Sequence, residues 1–502
     1  MTDEGALALG TCLVFGGERL LVRERALTIS DGICELSGML APERGPSFDE
    51  LCEPGGTREP ASPGTASRSG DVRSTQPKEI SVKQIKSLLL ALCSLLLPVA
   101  CCAAEIKNSG DSTALPQVDA DEAKAISEIR KVYGTITIDE ARPDKPVIGV
   151  SLGGVQDTPA ALVNLKAFTH LQSLRLVGPD FTNSALVHLK GLTQLKSLNL
   201  ECTQVDDAGL EELKGLRHLQ DLELLGTAVT GTGLANLPGQ LEVLGLENTQ
   251  VDDAGLLHVK RLTQLISLGL SGSRVTDAGL AGVKGLTKLR YLCLGGTTIS
   301  DAGLANLKGL TELRSLNLAG TKISGPGLAS LNGMTKLEWL NLERTRVTDA
   351  GLQYLAGLTK LRWLNLAGTP VKGTGFRNHK GFGKLELLCL ENTQVDDAGA
   401  VFLKVLPEVR EMDLGGTRIT DAALAVLKDL PKVRELELRE TKVTDAGLEH
   451  LKGMVQLDSL NLVQTQVTDA GVERLRKALP KCRISNRITG PPAPLPPAGL
   501  SH

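Results

Sequence analysis

One phrase recurs along this chain at a fixed spacing and constrains its fold more than any other feature. From Leu171 onward the pattern is L-x-x-L-x-L-x-x-T-x-V-T-D-A-G-L-x-x-L-x-G-L-T, and it occurs in thirteen units. Every step is 24 residues except that from Leu224 to Leu246, which is 22. A repeat array grows by stacking units rather than by enlarging one core. A length of 502 residues therefore predicts one long array and not three or so globular domains.

Within each phrase, the apolar residues first alternate and then recur at a helical spacing. Leu198 and Leu200 are two residues apart, which predicts a strand that turns both of them inward. Leu210 and Leu213 are three apart, which gives the next segment an inward stripe as a helix, and Thr or Asp at its start can cap free N–H groups. The strands then stack as a parallel sheet, and the wider helices force the stack to curve with its strands inside.

This pattern resembles the leucine-rich repeat, and the resemblance covers roughly residues 145–484. The family signature has Asn or Cys where this chain has Thr. The phrase T-D-A-G-L is similar to that of exported bacterial members and of the cysteine-containing subclass found in F-box proteins. The resemblance implies an α/β leucine-rich-repeat solenoid, a curved horseshoe with a parallel β-sheet on its concave face and short helices on its convex face. It implies a binding surface without naming the partner, because the family serves many.

Two polar columns run through the repeats, and we interpret both as structural. The threonine column begins at Thr203, and its hydroxyl groups are expected to satisfy backbone groups that a tight corner leaves unpaired. The aspartate column begins at Asp207 and is interrupted by Gly231, Gly325 and Gly373. Because these aspartates fall at helix starts, we predict that they cap helices rather than form a calcium ladder.

The chain before the repeats begins with two segments of different character. Residues 1–81 show no sustained hydrophobic period, and we expect a disordered or non-native N-terminal extension. Residues 82–104 combine lysines, an apolar run, Pro98 and small residues, as a secretory signal peptide does. A membrane anchor and a lipid anchor at Cys101 remain open alternatives. The signal predicts export, and with the resemblance to exported bacterial members it predicts a periplasmic, extracellular or cell-surface location.

The repeats themselves need covers at both ends. Residues 105–144 contain an amphipathic helix and a short strand, which we expect to cap the first repeat. The solenoid is predicted for residues 145–484. Residues 485–502 are proline-rich, and we expect a disordered tail.

Composition and motifs argue against several functions. The 55 basic and 58 acidic residues nearly balance, so no basic field is available to bind nucleic acid. The sequence has no phosphate-binding loop, nucleophile elbow, HExxH motif or CxxC pair, and its seven histidines do not cluster. We therefore expect no catalysis, no metal and no cofactor. Cys293 and Cys389 share a repeat position but lie four repeats apart, beyond the ~7 Å that a disulfide spans, so free thiols are expected.

The two tryptophans of the chain fall at the same repeat position, on the strand side that faces away from the core. Aromatic and apolar residues concentrate at this position from Tyr291 to Leu387, and arginines precede several of the strands. Exposed Trp, Tyr and Arg at the centre of a concave surface are typical of a protein-binding hot spot. The predicted partner-binding residues are Tyr291, Arg314, Trp339, Asn341, Glu343, Arg362, Trp363 and Asn365.

Alternatives to this interpretation stay open. Trp339 and Trp363 could stack on each other and only stabilise the sheet, and Asn317, Asn341 and Asn365 could form an amide ladder. The same tryptophans could form a stacking platform for sugar rings, which would make the protein a glycan-binding module. An intracellular F-box-like adaptor is a third interpretation. The favoured function is a non-catalytic, exported scaffold that binds a protein partner.

Overall fold

The computed structural model describes residues 120–153, 159–377 and 379–486, together with the backbone of four short strands between residues 10 and 35. The chain divides into two compact units, Met1–Glu79 and Ile80–His502. In the first unit, β1 (Gly10–Phe15) pairs antiparallel with β2 (Glu18–Arg23), and β3 (Thr28–Ser30) pairs antiparallel with β4 (Ile33–Glu35).

Two of the predicted segments lie largely or wholly outside this description. The signal peptide at residues 82–104 lies outside the described residues, and so do residues 487–502 of the proline-rich tail. The interpretation of residues 1–81 as an extension stays a prediction. Among the described residues, no helix is long and apolar enough to cross a membrane.

One sheet of sixteen strands runs through the second unit in sequence order. The first strand pairs antiparallel with the second, and all later neighbours are parallel and in register, as in the pairing of Leu316 with Leu340. The strands are β5 (Thr135–Ile138), β6 (Val147–Gly153), β7 (Ser173–Val177), β8 (Ser197–Asn199), β9 (Asp221–Glu223), β10 (Val243–Gly245), β11 (Ser267–Gly269), β12 (Tyr291–Cys293), β13 (Ser315–Asn317), β14 (Trp339–Asn341), β15 (Trp363–Asn365), β16 (Leu387–Cys389), β17 (Glu411–Asp413), β18 (Glu435–Glu437), β19 (Ser459–Asn461) and β20 (Arg483–Ser485).

Short helices return the chain from each parallel strand to the next, and α1 precedes the sheet. The α-helices are α1 (Ala120–Lys131), α2 (Pro159–Val163), α3 (Asn183–Leu186), α4 (Asp253–Leu256), α5 (Asp301–Leu304), α6 (Asp349–Leu352), α7 (Asp397–Ala400), α8 (Asp421–Leu427), α9 (Asp445–Leu451) and α10 (Asp469–Ala478). Turns of 3₁₀ helix complete the crossovers at Asn164–Ala167, Val187–Leu189, Gly209–Gly215, Thr232–Asn236, Leu257–Arg261, Gly279–Gly282, Ala305–Leu307, Pro326–Leu331, Gln353–Leu355, Thr374–Arg377, His379–Phe382 and Leu403–Val405.

The leucines of the repeat form one continuous core between the sheet and these helices. Leu198 and Leu200 of the strand phrase and Leu210 and Leu213 of the helical phrase are all at most 1% exposed. The residues that alternate with the strand leucines point away from the core and form what we call the sheet face. The predicted α/β solenoid, with a parallel sheet on one side and short helices on the other, is confirmed.

Separate elements close the two ends of this core. At the N-terminal end, α1 buries Ala125, Ile126 and Ile129 against the first repeats. At the C-terminal end, α10 precedes β20, and Cys482 and Ile484 are buried beside it. Both ends therefore present a helix and a strand edge that differ from those of the internal repeats.

The threonine column satisfies backbone groups, as predicted. Each hydroxyl donates a hydrogen bond of 2.6–2.7 Å to the carbonyl oxygen three residues earlier, as Thr203 does to Leu200. Ser273 occupies the same position, but its buried hydroxyl has no hydrogen-bond partner among the described residues. The column is a structural feature of the corner that follows each strand.

The aspartate column is not a set of caps for its own helices, and that prediction is wrong. The carboxylate of Asp421 accepts hydrogen bonds from the backbone N–H of Thr444 at 2.7 Å and from its hydroxyl at 2.7 Å, both in the next repeat. Thr444 in turn caps α9 by accepting from the N–H of Ala446. The same reach into the following unit occurs for Asp207, Asp253, Asp277, Asp301, Asp349, Asp397 and Asp445.

This link between repeats explains the glycine of the T-D-A-G phrase. A Cβ added at Gly447 would collide with Oδ1 of Asp421, and one added at Gly303 would collide with Oδ1 of Asp277. The side chain of one repeat therefore occupies the volume that a larger residue would need in the next. We call this series of contacts the aspartate ladder.

The aspartate ladder is expected to contribute measurably to stability. Asp421→Ala removes two hydrogen bonds to a charged acceptor and should lower the free energy of unfolding by about 1–2 kcal/mol. Asp429→Ala, at an exposed position of the same repeat, is the matched control and should change it by less than about 0.5 kcal/mol. Urea denaturation measures both. Equal effects of the two substitutions would contradict the structural role of the ladder.

The described cysteines are free thiols, as expected. Cys202, Cys293, Cys389 and Cys482 form no disulfide. Burial raises the pKa of Cys293 and Cys389 well above the ordinary value, so both thiols are protonated and unreactive at neutral pH.

Candidate binding surface

Three columns of side chains make up the sheet face. In β8 and the corner after it they are represented by Ser197, Asn199 and Glu201, which are half-buried, whereas Leu198 and Leu200 between them are buried. Equivalent residues of neighbouring strands lie side by side, because the parallel strands pair in register. The outward direction predicted for the three columns is confirmed.

Aromatic side chains occupy the first column at the middle of the sheet. Trp339 of β14 pairs with Trp363 of β15, and their rings stack with centroids 4.3 Å apart and planes 11° apart. Tyr291 and Leu387 flank the pair, and Ser315, only 4% exposed, lies between Tyr291 and Trp339. We call Tyr291, Trp339, Trp363 and Leu387 the aromatic patch.

The stacking fixes the orientation of the two indole rings. Adjacent strands are about 4.8 Å apart, so rings stacked at 4.3 Å lie with their planes facing along the sheet and their edges toward solvent. Each ring covers one face of the other, which is the packing role considered for them from the sequence. Both residues remain half-buried, so part of each ring is still exposed on the sheet face. The Nε1 atom of Trp363 is buried without a hydrogen-bond partner among the described residues.

Ion pairs hold the arginines at the rim of the aromatic patch. Arg314 Nη1 lies 3.0 Å from Glu338 Oε1, and Arg362 donates two hydrogen bonds, of 3.1 and 2.9 Å, to Glu386. The hydrogen bonds that Arg362 donates to Glu386, together with the negative charge of Glu386, raise the pKa of Arg362 above its ordinary value. All four side chains are at least one-third exposed, so each pair adds little stability but fixes where the charges lie.

The asparagines beside the tryptophans are largely buried, so they offer a partner little surface to contact. Asn341 and Asn365 are each only 8% exposed. Each side-chain oxygen accepts a hydrogen bond of 2.9 Å from the backbone two residues later, at Glu343 and Ala367. The Nδ2 atom of Asn365 donates to Glu343 at 3.3 Å. These bonds stabilise the ends of the strands and do not form the amide ladder considered above.

A buried ion cluster, which the sequence analysis missed, lies further along the sheet face. The guanidinium of Arg439 contacts Glu391, lies 3.4 Å from Asp413 and lies 3.9 Å from Glu437. Arg439 itself is only 14% exposed. Burial raises the pKa of Asp413 to about 6, although the charge of Arg439 acts in the opposite direction. The cluster is visible in the sequence as acidic residues and one arginine at the second and third columns.

This cluster includes the residues with the best geometry for a metal ion. Among the described residues, only Cys389, Glu391 and Asp413 bring three potential ligand atoms within 4.8 Å of one another. The thiol of Cys389 is held protonated by burial, and the guanidinium of Arg439 already pairs with both carboxylates. These residues therefore suit an internal ion pair better than a metal site.

A second set of carboxylates occupies the corresponding columns nearer the N-terminus. Glu201, Asp221, Glu223 and Glu247 make up what we call the acidic group. Glu223 and Glu247 lie across Gly245 and Gly269, where an added Cβ would collide with their carboxylates. Burial, together with the nearby negative charges, raises the pKa of Asp221 to about 6 and of Glu247 to about 7, and raises that of Glu223 well above its ordinary value.

Comparison with known proteins identifies the repeat. A family profile described as leucine rich repeat matches residues 311–371, and a second profile with that description matches residues 191–214. Both segments coincide with units of the parallel sheet and its crossovers. The repeat of this chain is the leucine-rich repeat. No curated protein sequence matches this leucine-rich-repeat chain.

Several solved leucine-rich-repeat structures are similar to it. An internalin from Listeria monocytogenes is 19% identical over 77% of this chain and 100% of its own, with a TM-score of 0.48. A leucine-rich-repeat protein from Leptospira interrogans is 19% identical over 67% of this chain and 89% of its own, with a TM-score of 0.44. The plant peptide hormone receptor RGFR1, solved in complex with RGF2, is 17% identical over 67% and 54%, with a TM-score of 0.44.

Proposed function

We propose that this leucine-rich-repeat protein is a non-catalytic, exported scaffold that binds a protein partner through its sheet face. The observation that carries the proposal is the stacked pair of Trp339 and Trp363 at the centre of that face. Large aromatic side chains that are already fixed in place lose little conformational entropy on binding, and they dominate the energy of many protein interfaces.

The surroundings of the tryptophans support this proposal. Tyr291 and Leu387 extend the apolar surface on both sides, and the ion pairs of Arg314 and Arg362 form a polar rim. An apolar centre with a polar rim is the usual arrangement of a protein interface. Glu343 is half-buried beside Asn365 and completes the set of predicted contact residues. Asn341 and Asn365 are proposed to support the binding surface indirectly, because their hydrogen bonds fix the ends of the strands that carry the tryptophans.

The orientation of the rings makes a glycan platform the weaker proposal. A sugar stacks on an open aromatic face, and each indole has one face covered by the other at a centroid distance of 4.3 Å. The remaining faces point along the sheet, toward Ser315 and Leu387. A polypeptide can instead contact the exposed ring edges and the neighbouring apolar side chains, and it does not need to reach the ring faces between adjacent strands.

Affinity capture with the immobilised full chain tests the proposal. The wild-type protein should enrich one or a few polypeptides from its source organism, and the double substitution Trp339→Ala with Trp363→Ala should reduce that enrichment about tenfold or more. Arg362→Ala should weaken it less, because an exposed ion pair contributes little. Tyr354→Ala, which removes an exposed aromatic side chain from the helical side, is the matched control and should have no effect.

Two outcomes would redirect the proposal. If the aromatic patch variant, shown to be folded by circular dichroism, retains every partner, the sheet face is not the binding surface. If polysaccharides change the tryptophan fluorescence of the wild-type protein and not that of Trp339→Ala, the function is glycan binding. Export is tested separately by fusing residues 82–104 to a reporter, and retention of the reporter in the cytoplasm would favour an F-box-like adaptor.

A further inference from the structure

The sheet face is much more negatively charged than the chain as a whole. The net charge of the chain is only -3. Across the three columns of β7–β19 and the corners after them, the basic residues are Arg175 and Arg439, and the acidic residues are Glu201, Asp221, Glu223, Glu247, Glu343, Glu391, Glu411, Asp413, Glu435 and Glu437. The rim beside β12 and later strands carries arginines at positions 290, 314, 362, 410 and 434 and acidic residues at positions 338, 386 and 458. The negative charge of the columns therefore lies in two regions: β16–β18, where Arg439 and the rim arginines offset part of it, and β8–β10, where the acidic group lies.

The two carboxylate clusters of this face occupy matching positions but differ in one residue. Glu201 and Glu223 stand in the same columns and on the same relative strands as Glu391 and Asp413. The position that Arg439 takes beside the second pair is taken by Glu247 beside the first. The chain thus supplies an internal guanidinium to one cluster and a further carboxylate to the other.

The cations near the acidic group leave most of it unneutralised. Arg175 approaches Glu201 at 3.8 Å, and the exposed Lys196 lies on the rim beside Gln220. Glu242 adds another negative charge to that rim and raises the pKa of Asp221. The Oδ1 atom of Asp221 is buried and has no hydrogen-bond partner in the described part of the chain. Buried carboxylates in such surroundings are stabilised by an incoming donor with positive charge.

We infer that the partner presents an extended basic segment to this face, with arginine or lysine side chains on the acidic group and apolar side chains on the aromatic patch. This inference rests on the proposed function and specifies the chemistry of the partner. Charge complementarity carries it, and the contacts of Arg439 show how a guanidinium satisfies carboxylates in these columns. A single metal ion fits less well, because the ligand atoms of the acidic group do not converge closely enough to form one of the candidate ion sites among the described residues.

The spacing of the two regions sets the length of this segment. Glu247 follows β10 by two residues, and Trp339 lies on β14, so the two regions are four strands apart in the sheet. At about 4.8 Å per strand this is roughly 19 Å. An extended polypeptide covers that distance in about six residues. The inferred partner therefore carries a basic and an apolar residue about six positions apart.

Binding of a fluorescein-labelled nona-arginine peptide, measured by anisotropy at pH 8 in about 150 mM salt, tests the basic part of this inference. The full-length wild-type protein should bind this peptide and not a nona-glutamate peptide. Glu223→Gln with Glu247→Gln should weaken binding about tenfold. Glu211→Gln with Glu449→Gln removes the same charge from exposed positions on the helical side and should weaken binding less than about twofold.

The same titration at pH 5 provides an independent readout. Asp221 and Glu247 have pKa values of about 6 and 7, so both are protonated at pH 5, and wild-type binding should be weaker there than at pH 8. The doubly substituted acidic group should lose most of this pH dependence. If nona-arginine does not bind, or if the helical-side variant weakens binding as much as the acidic-group variant, the inference is wrong. Affinity capture through the aromatic patch could still succeed in that case. The proposed function and this inference can therefore be contradicted separately.

Discussion

Arg439→Ala is expected to lower the free energy of unfolding by about 3–5 kcal/mol at pH 8, because it leaves three largely buried carboxylates without their cation. The loss should depend on pH. Burial raises the pKa of Asp413 to about 6, and the charge of Arg439 keeps it from rising further. Without Arg439 the carboxylate of Asp413 takes up a proton at a higher pH. The destabilisation should therefore be smaller at pH 5 than at pH 8 and should grow as the pH rises through 6.

Urea denaturation of wild type and variant between pH 5 and pH 8 measures this effect. Arg434→Ala in the same repeat is the matched control, because its ion pair with Asp458 is more than half exposed and should contribute less than about 1 kcal/mol. Asp413→Asn should restore part of the stability that Arg439→Ala removes, since it takes one negative charge out of the cluster. An equal loss at pH 5 and pH 8 would mean that Arg439 stabilises through packing and not through charge.

Glu247→Gln is expected to have the opposite effect and to stabilise the protein by about 1–3 kcal/mol at pH 8. Burial raises the pKa of Glu247 from an ordinary 4.5 to about 7. The ionised carboxylate is therefore less stable in the folded protein than in the unfolded chain. Wild-type stability is therefore lost progressively as the pH rises from 4.5 through 7. Glutamine keeps the shape of the side chain and has no such loss.

The sign of this prediction makes it easy to contradict. The difference in stability between Glu247→Gln and the wild type should be close to zero near pH 4.5 and should reach its maximum above pH 7. Glu211→Gln on the helical side removes the same charge from an exposed position and should be nearly neutral throughout. Destabilisation by Glu247→Gln at pH 8 would show that the carboxylate is already satisfied by a cation. The basic partner would then have no charge to neutralise at that position.

Much of this fold follows from the sequence because the period alone fixes it. The two-residue spacing of Leu198 and Leu200 sets the strand and its register, and the position of Trp339 relative to Leu340 sets which way the indole points. Every repeat supplies the same evidence, so errors in one unit are corrected by the others. The stack of Trp339 on Trp363 could be anticipated as an alternative, since in-register strands bring equal positions together.

Contacts that join one repeat to the next were harder to predict. Asp421 begins the helix of its own unit, so its position in the sequence indicates a cap, but its carboxylate accepts hydrogen bonds from Thr444 in the following unit. Likewise, the relation of Arg439 to Glu391 spans two strands and becomes visible only when the columns are aligned in space. A linear pattern shows which residues recur, whereas the direction in which a flexible polar side chain turns depends on neighbours 24 or 48 residues away.

The aspartate ladder has a consequence for how such a chain can change its length. Most units extend a carboxylate forward and offer an N–H group, usually with a hydroxyl and a glycine, to the carboxylate behind them, whereas the units of Gly231, Gly325 and Gly373 extend none. The series is completed at its last member by Asn486, which donates from outside the repeats to Asp469 at 2.8 Å. A whole unit that carries both halves of this contact can therefore be duplicated or deleted by recombination, and its new neighbours meet the same chemistry at the junction. A gain or loss that removes one half of the contact breaks the series at that point.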